Sequence, residues 1–170
     1  MGIPGLRAVE HVGLTVANLE EAVRFFVDVL GCAFAFSEGP IGNDAAFMRE
    51  RLNVHPDASL RYAFLACGNG PNLELFEYES PDQDSEPPRN SDVGGHHLCF
   101  YVDDMDDAVD YLRRNNVRLL GDVNVMVDGP AAGSRWIYFL APWGLQLELV
   151  SYPSGKGAPG SPARRLWTPP

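Results

Sequence analysis

Two histidines and two glutamates stand at matching places in the two halves of this chain: His11 and Glu74 in the first, His97 and Glu148 in the second. Two neutral imidazoles and two carboxylates form a donor set of intermediate softness that suits Zn²⁺, Ni²⁺, Co²⁺, Mn²⁺ or Fe²⁺. The two carboxylates also balance the charge of one divalent ion. On an ion that takes about six ligands, four from the protein leave adjacent positions for neighbouring oxygens of a small molecule. A strand histidine alone is commonly a structural hydrogen-bonding residue, and a strand glutamate alone commonly faces water. The weight lies in the joint pattern, a His opening each half and a Glu closing each.

The matching places come from an internal duplication. Glu10-His11-Val12-Gly13-Leu14-Thr15-Val16 falls on His96-His97-Leu98-Cys99-Phe100-Tyr101-Val102 at an offset of 86, which carries on through Ala22-Val23 over Ala108-Val109. At an offset of 74, Arg61-Tyr62-Ala63-Phe64 falls on Arg135-Trp136-Ile137-Tyr138 and Leu73-Glu74-Leu75 on Leu147-Glu148-Leu149. The offsets differ by twelve residues, so the first half carries an insertion within about residues 39–60, where Asn43 to Arg51 can form a short extra helix. The expected organisation is a first module over 7–80, a Ser/Pro/Asp-rich linker over 81–95, a second module over 96–152 and a tail over 153–170.

Each half reads as strand, helix and three strands, giving an α+β chain of two tandem βαβββ modules. Asn18 is placed to cap a helix over Leu19 to Leu30 that Gly31 stops, and Asp103 or Asp104 to cap one running to about Arg114. Side chains alternate faces along a strand. Val12, Leu14 and Val16 therefore share the face that packs under a helix, and His11 takes the other. Leu73 and Leu75 pack away from Glu74, Leu147 and Leu149 away from Glu148, and Leu98 and Phe100 away from His97. All four candidate ligands lie on the faces the helices leave open. Phe76, Tyr78 and Tyr101 share those faces and are candidate substrate contacts. His55 sits in the insertion, either as a loop residue or as a substrate contact. Parity turns Glu77 away from Glu74 toward solvent, and leaves His96 structural or at the surface.

A net charge of −10 argues against a nucleic-acid partner, whose phosphates need a basic surface. No apolar run approaches the length of a membrane span, and the opening Met1 to Leu6 carries no secretory or myristoylation signal. Cys32, Cys67 and Cys99 are odd in number and not closely paired, which suits free thiols in a reducing cytoplasm. The glycines near residues 42 and 129–133 match no phosphate-cradling motif.

Paired modules with His-x-x-Leu/Phe-x-Val openings and Leu-Glu-Leu closings resemble the vicinal oxygen chelate superfamily of glyoxalases, epimerases, extradiol dioxygenases and antibiotic-binding proteins, over about residues 7–152. The resemblance implies sheets curved into a U-shaped, metal-containing cavity, a homodimer, and His11, Glu74, His97 and Glu148 on the metal-ligand positions of the glyoxalase I type. Methylmalonyl-CoA epimerases look similar but usually carry Gln at the place of Glu74. Asn53-Val54-His55-Pro56, Pro71 to Tyr78, Pro142 to Leu149 and the tail's Arg165-Leu166-Trp167 are similar to the valiolone epimerase-like subgroup. That likeness implies a metal-dependent epimerase moving a proton beside a carbonyl of a cyclitol ketone such as 2-epi-5-epi-valiolone. Glu74 and Glu148 would then be the bases, with Arg165 and Trp167 of the tail near the substrate. A glyoxalase I-type lyase and a non-catalytic binding or resistance protein are the alternatives. The latter commonly lacks the metal ligands that this chain retains.

Overall fold

The computed structural model describes residues 2–167. Between Glu86 and Pro87 the chain divides into two compact units, each built on one four-stranded sheet. The first unit holds β1 (His11–Thr15), α1 (Leu19–Arg24), β2 (Ala33–Ile41), α2 (Ala45–Arg51), β3 (Ser59–Ala66) and β4 (Asn72–Glu79). The second holds β5 (Leu98–Tyr101), α3 (Met105–Arg114), β6 (Arg118–Val125), β7 (Arg135–Leu140) and β8 (Gln146–Ser151). The sheet orders are β1-β4-β3-β2 and β5-β8-β7-β6, with the first pair of each parallel and the rest antiparallel. The chain is thus α+β with tandem βαβββ units, and α2 is the extra helix of the first.

Alternation of apolar residues sets the cores. Leu14, Ala63, Leu65, Leu73 and Leu75 are buried with Leu19, Ala22 and Phe26 of the first helical segment. Ile137, Phe139, Leu147 and Leu149 are buried with Met105, Val109 and Leu112 of α3. Asn18 caps α1 by accepting from the Glu21 amide at 2.8 Å, and Asp104 caps α3 by accepting from the Asp106 and Asp107 amides.

The helix expected over Leu19 to Leu30 changes character partway. α1 gives way to a π-helical turn over Phe25–Val29, in which the Leu30 amide reaches back to the Phe25 carbonyl. The wider turn lets the adjacent rings of Phe25 and Phe26 both be buried. Gly31 follows at φ 75°, the left-handed stop.

Two expectations need correction. Cys32 and Cys67 form a disulfide, leaving Cys99 as the free cysteine. The antiparallel register Ala33↔Ala66 puts the flanking cysteines opposite one another, with Cα atoms 4.5 Å apart. The thiol argument for a cytoplasmic protein therefore loses its premise. Glu77 is not solvated: its side chain is 17% exposed, accepts from the Leu19 amide at 2.6 Å and pairs with Arg61 at 2.7 Å. The face of β4 opposite Glu74 meets the N-terminus of α1, where unpaired amides attract a carboxylate.

After β8 the chain folds back on its own unit. Tyr152 stacks on Tyr101, Ser161 donates to the Pro130 carbonyl at 2.7 Å, and a 3₁₀ turn runs over Pro162–Arg165. Among the described residues no helix is long and apolar enough to cross a membrane.

Candidate metal-binding pairs

His11 is the first residue of β1, and in the parallel pairing Gly13 lies opposite Glu74 on β4. His97 sits one residue ahead of β5, and Cys99 lies opposite Glu148 on β8. In both units the histidine is thus two residues before the partner of the glutamate, a diagonal that brings the side chains together on one face. His11 Nε2 stands 3.2 Å from Glu74 Oε2, and His97 Nε2 stands 3.0 Å from Glu148 Oε2. The carboxylates are mostly covered, at 17% and 15% exposure.

The third strands repeat the arrangement. Phe64 is registered with Glu74 and Tyr138 with Glu148. The His11 ring meets Phe64 edge-on with centroids 5.6 Å apart, and His97 meets Tyr138 edge-on at 5.0 Å. In the first unit Phe36, Tyr62, Phe76 and Tyr78 extend this wall through successive ring contacts. Trp136 adjoins Tyr138 in the second.

The fit to a metal can be tested on these distances. Two donors at right angles, each about 2.1 Å from an ion, stand about 3 Å apart. Both observed pairs match that edge. Each histidine also has a partner on its far nitrogen, Glu10 Oε2 at 2.5 Å for His11 Nδ1 and Asn90 Oδ1 at 3.1 Å for His97 Nδ1. With Nδ1 protonated, Nε2 is left as the lone-pair donor, the usual outer support of a ligating imidazole. Among the described residues the candidate ligands stand as these two pairs, and no three His, Cys, Asp or Glu side chains form a metal-holding group.

The neighbours shape the acid–base character. Burial raises the pKa of Glu74 against the opposing pull of His11, so its carboxylate is a stronger base than a solvated one. The hydrogen bond to Glu10 raises the pKa of His11. Tyr78 and Tyr138 are raised by burial and by the glutamate beside each, and Tyr62 chiefly by its hydrogen bond to Glu38. All three phenols stay protonated at neutral pH, and that of Tyr62 donates to Glu38 at 2.8 Å. Although Cys99 as a residue is exposed, burial of its thiol, helped by the Glu148 charge, pushes it up to about 12.

The remaining sequence candidates are engaged locally. His55 Nδ1 accepts from the Asp57 amide at 3.1 Å. Tyr101 is covered by Tyr152, Arg165 is exposed in the 3₁₀ turn, and Trp167 is 58% exposed with its carbonyl accepting from Lys156. Sequence reasoning passed over Glu10, Asn72, Asn90, Phe64 and Tyr138. The last two were legible, because the offset of 74 that pairs the glutamates also pairs these rings.

Residues 10–139 match the Glyoxalase/Bleomycin resistance protein/Dioxygenase superfamily. A 2-epi-5-epi-valiolone epimerase from Actinomyces sp is 48% identical over 171 residues, covering 99% of this chain and 92% of that protein. The uncharacterized protein YaeR from Escherichia coli (strain K12) is 28% identical, covering 85% of this chain and 96% of that protein. A glyoxalase family protein from Bacillus cereus shares the fold, with a TM-score of 0.68 at 20% identity over 89% of this chain and 97% of that one. With the repeated His/Glu diagonals already in place, these matches mean that the chain belongs to the glyoxalase/bleomycin resistance protein/dioxygenase superfamily.

Proposed function

We propose that the protein is a metal-dependent epimerase in which His11, Glu74, His97 and Glu148 hold one divalent ion, Zn, Ni, Co, Mn or Fe, and that its substrate is a cyclitol ketone of the 2-epi-5-epi-valiolone kind. The observation that carries the reading is the same Nε2···Oε2 diagonal, 3.2 and 3.0 Å, built twice on equivalent strands. The 48% identity to a 2-epi-5-epi-valiolone epimerase supports the substrate class. The resemblance to the superfamily extends the proposal to a homodimer.

When bound, the ion would supply Lewis-acid polarisation of a carbonyl oxygen. The chain's own part is positional and basic. Glu74 and Glu148 are the carboxylates available to take a proton from the carbon beside the carbonyl, and the partial burial of both suits them to it. Returning the proton to the opposite face inverts that carbon. Protonated Tyr78 and Tyr138 offer donors to substrate hydroxyls, and the wall of Phe36, Phe64 and Phe76 offers ring faces to its C–H edges. The proposal also takes Tyr101, His55, Arg165 and Trp167 as further substrate contacts.

Two measurements test this. Elemental analysis of protein purified without chelator or His-tag is expected to give about one divalent ion per chain, lost in a His11→Ala, Glu148→Ala variant. In D₂O, 2-epi-5-epi-valiolone is expected to gain deuterium at the inverted carbon. Inversion without solvent deuterium would overturn the carboxylate-mediated proton transfer, and methylglyoxal plus glutathione turnover in its place would turn the reading to a lyase.

A further inference from the structure

The two candidate histidines are oriented by different chemistry, although the strands that carry them are copies. In the first unit Glu10 meets His11 Nδ1 through Oε2 and accepts from Asn72 Nδ2 at 2.9 Å through Oε1. Asn72 also donates its backbone amide to the Glu10 carbonyl at 3.0 Å, and is the strand partner of His11 itself. Glu10 is 72% exposed, so without this two-point clasp its side chain would sample many rotamers. In the second unit the offset of 86 puts His96 where Glu10 stands. His96 is engaged with the Gly94 carbonyl at 3.0 Å and does not reach His97. Asn90, from the segment ahead of β5, supplies the partner instead through its amide oxygen, and also donates to Tyr138.

We infer that Glu10, held by Asn72, and Asn90 are positioning residues for His11 and His97, and that they make the two halves of the proposed metal site unequal, the carboxylate-backed His11 half binding more strongly than the amide-backed His97 half. This rests on the four-ligand reading above. The physical ground is that an acceptor on Nδ1–H fixes the ring and pushes electron density toward Nε2. An anionic acceptor does so more than a neutral amide.

The test is Zn²⁺ affinity of metal-free full-length protein, measured by competition with a chromophoric chelator, with apo melting temperature as the control for folding. Glu10→Gln is expected to weaken Zn²⁺ binding about 10–100-fold, with Asn72→Ala following in the same direction by a smaller factor. Asn90→Ala is expected to weaken it less than Glu10→Gln. Asn90→Asp, which gives His97 a carboxylate like that of His11, is expected to tighten it. Apo melting should stay close to wild type throughout, because Glu10 lies outside the core. Wild-type affinity in Glu10→Gln, or a larger loss in Asn90→Ala, overturns the inference while leaving the metal site standing. Failure of the wild type itself to bind Zn²⁺ brings down the four-ligand reading, and this inference with it.

Discussion

Ser151 ends β8 on the same face as Leu147 and Leu149, fully buried, and its hydroxyl finds no hydrogen-bond partner among the described residues. A buried hydroxyl without a partner keeps its desolvation cost and returns nothing for it. Ser151→Ala is therefore expected to leave stability unchanged or raise it by about 1 kcal/mol, read from the denaturant midpoint at constant slope. The cysteines give a second residue-scale expectation. Under denaturing, non-reducing conditions one thiol per chain should titrate, and all three cysteines after reduction. In the folded metal-free protein Cys99 should alkylate far more slowly at about pH 8 than free cysteine, since a thiol raised to about 12 is almost wholly protonated there. Fast alkylation would contradict that environment. The disulfide was not legible in the sequence. A separation of 35 residues says nothing until the β2–β3 register is known, and one residue of slip would have parted the two sulfurs.

At the scale of elements, α1 and α3 are each tied to their sheet by an arginine that the duplication preserved. Arg61 on β3 pairs with Glu20 of α1 at 2.5 Å, and Arg135 on β7 pairs with Asp106 of α3 at 2.7 Å. The first tie is the stronger because it runs on into Glu77, which also holds the Leu19 amide. Glu77→Ala leaves that amide and the Arg61 guanidinium short of a partner, and is expected to cost about 1–3 kcal/mol. Asp106→Ala, at an exposed pair, should move the melting temperature less. Hydrogen bonds from Arg61 and Arg135 hold the carboxyls of Glu20 and Asp106 below their ordinary range. Their contribution is therefore complete above the unfolded carboxylate values, about 4, and fades as pH falls through the lower folded ones. The melting-temperature gap between wild type and Arg61→Met should narrow as pH drops below about 4, and a gap that widened there would reverse the assignment. These ties show how far parity reasoning reached. It placed His11, Glu74 and Glu148 on the open faces because leucines on the opposite face fixed the alternation. It sent Glu77 to solvent because alternation gives a face, and says nothing of what packs on that face. Asn90 was out of reach altogether, since it belongs to no strand and meets His97 only through the path of the segment ahead of β5.

The whole molecule is two compact units, each with its own sheet, helix and core. The tandem modules were legible in the two offsets, one anchored at the opening strands and the other at the closing strands. The acidic balance, a net −10, sets the background field in which any cation binds, and favours its approach. On the four-ligand reading proposed above, metal binding and unfolding are linked, because an unfolded chain has no preformed site. Free metal at about 100 times its dissociation constant would add about 2.7 kcal/mol to stability, enough to raise the melting temperature by several degrees. A chelator should remove that increment. In His11→Ala the added metal should lose this effect, although His97 and Glu148 are untouched. An equal metal-induced shift in wild type and His11→Ala would mean that His11 holds no metal and would overturn the four-ligand reading.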